Sequence, residues 1–313
     1  RSNGTLNQSG GLLEISNNSL LIGATCTDNV SDGIIRCSGF SATNAGTFEP
    51  TGGTVNIQGT LEGFLMGIQC DNGNYFNNLL VTSDYIDSGA IMQRDLNVTN
   101  NLEIQSGDFK IWNWELNVAN DIIIAGGLIM DNVDGIINAG DEFGDEIRWE
   151  SGSEVVYEPR ATINVYGDWI FEEGTEAQFG LESTINFMGA HNQFITCQDE
   201  DAEFGYVNCN QTADALWLHS STTDTMRITG NLNVNSYIFH LQNGDVYVDR
   251  NLNIDADAAL DLGSSGSLTV DSDVNQSGEL DVGEGSAVFH DELNLEETSI
   301  LTISGGSLIC DKD

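Results

Sequence analysis

A short pattern of alternating apolar residues recurs about every 20 residues and limits this chain to one kind of fold. LNVTNNLEIQSG begins at Leu96, and LNVANDIIIAGG begins at Leu116. Each copy reads apolar, any residue, apolar, then three turn-forming residues, and then apolar, any residue, apolar. Further copies begin at Ile163, Met226, Val246, Leu268 and Ala287. A chain that repeats one short unit so often is built by stacking that unit.

The alternation identifies the unit as strands joined by corners. A period of two is the pattern of a β-strand, whose successive side chains point to opposite faces. Asn, Asp, Gly and Thr interrupt each strand, and such residues form tight corners. A helix would need apolar residues three and four apart and strong helix formers, which these segments lack. The sequence therefore predicts an all-β fold, a parallel β-helix (β-solenoid) with coils of about 20–22 residues.

The chain is expected to form a single β-solenoid over residues 1–313, because no Pro-rich or Gly/Ser-rich linker divides it. TVNIQG at Thr54 and TINFMG at Thr184 are 130 residues apart and indicate two related blocks, at about 40–160 and 165–300. The stretches 17–52 and 128–160 follow the repeat poorly, and irregular loops are expected there.

The charge balance excludes several partners. The chain has 49 acidic and 9 basic residues, a formal net charge of -40. Nucleic acids and anionic membrane surfaces need clustered Lys and Arg, so neither is expected to bind. No apolar run approaches the roughly 18 residues that span a bilayer, so membrane insertion is not expected. The acidity itself has two open interpretations, a solvated surface suited to a saline medium or a surface that binds divalent cations.

Several segments resemble known repeats. GTVNIQG, INVYGDWIFEEGTEAQFG, INFMGAHNQFI and GNLNV are similar to the repeats of large secreted bacterial surface proteins and adhesins, which form right-handed parallel β-helices. The resemblance extends over most of residues 50–305. It implies a right-handed solenoid and a structural role outside the cell or at the cell surface.

Six cysteines, an even number, together with Asn-x-Ser/Thr sequons, are typical of an oxidising extracellular setting. Cys26 with Cys37, and Cys197 with Cys209, are close in sequence, and each pair is predicted to form a local disulfide.

Cys70 and Cys310 have no such neighbour. Bonded cysteines have Cα atoms within about 7 Å, whereas Cys310 lies several coils from Cys70 and Cys209 in a straight rod. Cys70 and Cys310 are therefore candidates for intermolecular disulfides, and a free thiol at Cys310 is the alternative.

An acidic segment is the strongest candidate for a metal site. Calcium takes six to eight oxygen ligands, and this segment combines carboxylates with Asn side chains and Gly-permitted turns. Its spacing is not that of an EF-hand, and a solvated loop is the alternative. The predicted ligands are Asp131, Asp134, Asp141, Glu142, Asp145 and Glu146.

Catalysis is not expected, because carboxylate clusters arise by chance in so acidic a chain and no GxSxG or HExxH motif is present.

Trp112 and Trp114 are two residues apart and are expected on one face of a strand. If that face points outward they form a platform for sugar or protein, and if inward they belong to the core. Core or intersubunit packing is the preferred interpretation.

These observations predict an extracellular structural protein, the protomer of a cell-surface filament, sheath or adhesive stalk. Both ends of a solenoid expose unpaired strand edges, and head-to-tail contacts between copies would cover them. Disulfides and Ca²⁺ would stabilise this homopolymer, and no other cofactor is expected. The alternative is a carbohydrate-binding or carbohydrate-degrading β-helix protein, similar to a polysaccharide lyase or glycosidase, with a glycan as its partner.

Overall fold

A computed structural model shows an all-β chain whose parallel strands stack into a β-solenoid of about 12 turns, which confirms the predicted fold class. The structure describes residues 5–23, 27–42, 47–71, 73–85, 87–130, 135–141, 144–157, 161–179, 182–198, 203–218, 225–242 and 244–312. Within these ranges there are 34 strands. No helix that could cross a membrane is found among them.

The strands of the first turns vary in length from long β1 and β2 to three-residue segments. They are β1 (Thr5–Ile22), β2 (Thr27–Ala42), β3 (Thr54–Gly59), β4 (Leu65–Cys70), β5 (Asn78–Ser83), β6 (Gly89–Met92), β7 (Leu96–Val98), β8 (Leu102–Ile104), β9 (Asp108–Lys110), β10 (Glu115–Val118), β11 (Ile122–Ile124) and β12 (Gly127–Met130).

The middle turns contain β13 (Ile136–Ala139), β14 (Glu146–Trp149), β15 (Glu154–Tyr157), β16 (Thr162–Val165), β17 (Asp168–Phe171), β18 (Glu176–Gln178), β19 (Thr184–Phe187), β20 (Gln193–Cys197), β21 (Glu203–Phe204), β22 (Tyr206–Leu218), β23 (Thr225–Ile228) and β24 (Leu232–His240). The last turns contain β25 (Asp245–Val248), β26 (Leu252–Ile254), β27 (Ala258–Asp261), β28 (Ser267–Val270), β29 (Val274–Gln276), β30 (Glu279–Gly283), β31 (Ser286–Phe289), β32 (Leu293–Leu295), β33 (Ile300–Ile303) and β34 (Ser307–Cys310).

Each regular turn places one strand in each of three sheets. The first sheet contains β7, β10, β13, β16, β19, β26, β29 and β32, together with the first halves of β22 and β24. The second sheet runs from β3 to β33 and includes the second halves of β22 and β24. The third sheet runs from β4 to β34. The strand β2 pairs with β3 of the second sheet and with β4 of the third sheet, and β1 pairs with β2.

Stacks of like residues form the core. Leu96 is in register with Leu116, and Leu116 with Ile137, so the two opening repeats are adjacent turns. All three side chains are at most 1% exposed. Burial of apolar surface stabilises by about 25 cal/mol per Å², and the same contribution recurs in every turn.

Aromatic rings fill the middle of the solenoid. The centroids of Trp149 and Trp169 are 4.3 Å apart, and the Phe179 and Phe204 rings stack with centroids 5.6 Å apart. These rings lie close to the longest turn of the first sheet, in which 26 residues separate Asn138 from Asn164. Turns of the first sheet therefore range from 19 to 26 residues, wider than the predicted 20–22.

Two expectations about organisation differ from the structure. Irregular loops were expected near 17–52 and 128–160, but most described residues of these stretches lie in β1, β2, β13, β14 and β15. Thr54 begins a strand of the second sheet, whereas Thr184 begins a strand of the first sheet. The two similar segments therefore do not occupy equivalent positions, because the sheet in which a strand lies is set by its hydrogen-bonded neighbours.

Candidate functional site

One outward-facing position of the first sheet is asparagine in successive turns. Each of these residues is in register with the next, and together they form what we term the asparagine ladder. Its ten members are Asn97, Asn117, Asn138, Asn164, Asn186, Asn208, Asn233, Asn253, Asn275 and Asn294.

The ladder amides form one directional chain of hydrogen bonds. Each Nδ2 donates to the Oδ1 of the asparagine one turn earlier, with distances from 2.6 Å to 3.1 Å. An amide has two donor hydrogens and two acceptor lone pairs, so an inner member uses half of them within the ladder. At Asn138 the second N–H is donated to Glu115 Oε1 at 2.8 Å.

Local sequence explains the ladder. Its strands read apolar, Asn, apolar, as in Leu96–Val98 and Leu252–Ile254, so both flanking residues point into the core and the amide points outward. Parallel in-register strands then superpose identical side chains, as in other amide ladders. The repeat pattern allowed any residue at this position and therefore missed the ladder, although the recurrent Asn between two apolar residues was a usable signal.

A groove of about 490 Å³ lies over the first three ladder turns, and we term it the ladder groove. Its floor includes Asn97, Asn117 and Asn138. Tyr75, also in the lining, occupies the ladder position one turn before Asn97, because its neighbour Phe76 bridges to Val98.

Small side chains make this surface concave. Thr99, Ala119 and Gly140 line the groove and occupy the position that follows the strand in their turns. In the next two turns the same position holds the larger Tyr166 and Met188, as their equivalent backbone hydrogen bonds show. Gly140 has φ of 75°, a left-handed conformation that favours glycine, and a Cβ there would lie 3.0 Å from Gly167 N and 3.1 Å from Asp145 Cβ.

An acidic cluster surrounds Arg148 on the second sheet. Its Nε and Nη2 bind the two Glu146 carboxylate oxygens at 2.7 Å and 2.9 Å, and its Nη1 lies 3.0 Å from Glu172 Oε1. Hydrogen bonds to Glu146 raise the pKa of Arg148 above its ordinary value. Burial raises the pKa of Asp121 and of Asp168, and the nearby Glu146 charge raises both further. One guanidinium therefore compensates several carboxylates.

The predicted calcium ligands are only partly placed. Asp131, Asp134 and Glu142 lie outside the described residues. Both oxygens of Glu146 already bind Arg148, and Asp145 Oδ2 accepts a hydrogen bond from the Asp141 backbone at 2.9 Å. Among the residues the structure describes, no group of three or more His, Cys, Asp or Glu is arranged to hold a metal. The calcium site stays a prediction.

A second surface feature combines aromatic and acidic groups. His240 stacks on Trp217 with ring centroids 3.9 Å apart, and its Nδ1 lies 2.8 Å from Asp261 Oδ2. Trp217 Nε1 donates to Asn192 Oδ1 at 3.3 Å. Trp217, His240 and Asp261 occupy register positions of adjacent turns, and these contacts hold the two rings and the carboxylate together.

The predicted Cys197–Cys209 disulfide is absent from the structure, and the predicted Cys26–Cys37 disulfide stays a prediction. Cys209 lies in the first sheet, whereas Cys197 lies in the second, and Cys209 is a buried thiol without a disulfide. Cys37 is also a buried thiol, and its proposed partner Cys26 lies outside the described residues. Proximity in sequence does not predict pairing here, because a corner between two cysteines sends them to different sheets.

Burial governs the thiol chemistry. It raises the pKa of Cys37 to about 11 and that of Cys70 to about 12, and raises that of Cys209 as well. Cys310 is exposed, and partial burial and the Asp311 charge raise its pKa. It lies at a core-facing position, because it is in register with the buried Phe289. The intermolecular disulfides of Cys70 and Cys310 stay predictions.

The tryptophan pair lies in a corner and not in a strand, between β9 and β10. Trp112 is 47% exposed, whereas Trp114 is half-buried and packs against the core. The two side chains therefore do not form a common platform or a common core element.

The fold defines this chain as a β-solenoid protein. No protein-family model, curated protein or solved structure matches it. The functional argument therefore rests on the chain's own surfaces.

Proposed function

We propose that this protein is an extracellular structural protein whose solenoid forms the shaft of a filament, sheath or stalk by end-to-end assembly. The observation that carries the proposal is the repeated turn itself, because the parallel sheets continue in register from turn to turn and further strands can extend them by the same hydrogen bonds. In the last turn, Leu293 and Leu295 are in register with buried Val274 and Gln276, yet Leu295 is 51% exposed. Nothing among the described residues stacks beyond this turn.

The third sheet has the same open edge. Leu308 and Cys310 are in register with buried Ala287 and Phe289 but lie on the surface of the last turn. Exposed apolar residues beside unpaired strand edges favour association with further strands.

The first turn supplies a complementary surface. The strand β1 pairs only with β2 among the described strands, and β2 continues into the second and third sheets. The core-facing residues Leu13, Ile15 and Leu20 of β1 are partly buried against the core. The last and first described turns therefore offer opposite edges of the second and third sheets, the arrangement of a heterologous contact that does not close on itself.

Charge also favours this contact over a contact between two like ends. Glu14 is the single charged residue in β1. The last turn carries one cation, Lys312, which binds Asp291 at 2.8 Å, and the acidic residues Asp291, Glu292, Glu296, Glu297 and Asp311. Two last turns would repel each other, whereas a last turn against a first turn brings few like charges together.

The test compares two substitutions on one strand. Leu308→Glu places a charge in the proposed interface, and Ile309→Glu places it on the outward face of β34. Electron microscopy and light scattering at increasing protein concentration should show rods for the wild type and for Ile309→Glu, and monomers for Leu308→Glu. A wild type that stays monomeric, or two variants that behave alike, would contradict the assembly.

The extracellular location rests on the resemblance of the repeats to secreted surface proteins and on the acidic surface. Fractionation of the native cells, with an antibody against the folded chain, tests it. Protein confined to the cytoplasmic fraction would contradict this part of the proposal.

A further inference from the structure

The ladder groove offers regularly spaced polar groups that the fold leaves unused. Asn117 donates to Asn97 Oδ1 and accepts from Asn138 Nδ2, which leaves it one N–H and one lone pair. We propose that the ladder groove binds a neutral, extended β-linked glycan whose chain runs parallel to the solenoid axis. This inference is independent of end-to-end assembly.

The chemistry of the floor matches sugar hydroxyl groups. Each hydroxyl both donates and accepts, and so can the Asn117 amide, whereas Asn138 already donates to both Asn117 and Glu115 and can only accept from a ligand. Thr99 adds a hydroxyl group, and Tyr75 places an aromatic ring at the head of the row. Aromatic rings and a few well-placed polar groups are the usual lining of a small-molecule site.

The spacing also fits such a ligand. Ladder amides repeat once per turn, at about the strand spacing of ~4.8 Å. In an extended β-1,4-linked glycan each sugar advances by nearly the same distance, so one amide can meet one sugar in each turn. Three turns would hold about three sugars before Tyr166 replaces the small residues.

Charge selects neutral glycans. The net charge of -40 repels polyanions at long range, and Asp141 in the lining adds a local carboxylate. An extended peptide is a poorer fit, since it would need free strand edges, and the groove floor is the outer face of paired strands.

The ladder provides a matched control for the experiment. Asn208 donates to Asn186 and accepts from Asn233, both at 2.7 Å, but lies outside the groove. Asn117→Ala and Asn208→Ala thus remove the same kind of amide from the same sheet, and only the first removes it from the groove.

Calorimetric titration of the full chain with cellohexaose, maltohexaose and a hexamer of galacturonic acid tests the inference. We expect cellohexaose to bind at least about tenfold more tightly than the others, a difference of ~1.4 kcal/mol. Asn117→Ala and Tyr75→Ala should each weaken binding about tenfold, and Asn208→Ala should leave it unchanged although its melting temperature falls similarly.

Other outcomes overturn the inference. If cellohexaose does not bind, the proposed glycan site is contradicted. If the galacturonic acid hexamer binds more tightly than cellohexaose, the proposed preference for neutral glycans is contradicted. Equal weakening by Asn117→Ala and Asn208→Ala would assign the amides a structural role alone. The same titration on the Leu308→Glu protein separates glycan binding from assembly, since that variant should bind cellohexaose normally even where rods do not form.

Discussion

Asn164 Nδ2 donates to Asn138 Oδ1 over 2.7 Å, although 26 residues of chain separate the two. The turn between them is the longest in the first sheet, yet β13 and β16 keep the same register as shorter turns. Sheet hydrogen bonds therefore fix the ladder, and extra residues are accommodated in the corners.

Substitution of an inner ladder residue should destabilise the solenoid. Asn164→Ala leaves Asn138 Oδ1 and Asn186 Nδ2 without their partner, so we expect the free energy of unfolding to fall by ~1–2 kcal/mol. Urea unfolding measures it. The control is Asn294→Ala, which removes one ladder bond and should cost about half as much. An equal fall in the free energy of unfolding for the two variants would mean that the two hydrogen bonds of Asn164 stabilise the fold no more than the single ladder bond of Asn294.

Removal of Arg148 should expose the repulsion that it now compensates. Arg148→Met leaves Glu146 and Glu172 unpaired, and we expect a loss of ~1–3 kcal/mol in thermal unfolding. Arg94→Met is the matched control, because Arg94 is 52% exposed and its pair with Asp71 should contribute less than ~1 kcal/mol. The difference between the variants should shrink at high ionic strength, where salt screens the repulsion between the carboxylates. A difference that persists unchanged there would argue against electrostatic compensation.

Alkaline pH should weaken the fold through its buried thiols. The pKa of Cys70 is raised to about 12 from an ordinary 9.0, so the folded state retains the proton that the unfolded state releases. This contribution to stability is complete below pH 9 and is lost as the pH rises through the folded value. Cys70→Ala should reduce the slope of stability against pH by up to ~1.4 kcal/mol per unit between these values. Cys310→Ala should reduce it less, and identical slopes for wild type and Cys70→Ala would contradict the assignment.

Thiol labelling should separate buried from exposed cysteines. In a Cys26→Ala background at pH 8, Cys310 should react with a disulfide reagent within minutes, whereas Cys37, Cys70 and Cys209 should react only after unfolding. Mass spectrometry of labelled peptides identifies the sites. A Cys209 that resists labelling even in denaturant without reductant would instead indicate a disulfide.

Much of the fold could be predicted, because alternation and recurrence act locally. Leu96 and Leu116 were expected in adjacent turns and are in register. The site was harder to predict. The segment that contains Tyr75 does not match the repeat pattern. Tyr75 lies beside Asn97 in the ladder groove because a backbone bridge at Phe76 continues the first sheet by one more turn.

The cysteines show the same limit. Cys197 and Cys209 are close in sequence, but a corner separates their strands. Each strand pairs with the strands of a different sheet, so the two cysteines lie in different sheets. Sequence distance measures chain length, whereas a disulfide depends on distance in space.

The amino-acid sequence by itself determined that apolar and polar residues alternate and recur, and a chain with that pattern buries its apolar face only by stacking turns. The tertiary structure decided which corners meet, and thereby the ladder groove, the Arg148 cluster and the open last turn. The physical reason is that turns vary from 19 to 26 residues while the register of the sheets stays constant. Hydrogen bonding between turns therefore sets the side-chain neighbours, and spacing along the chain does not.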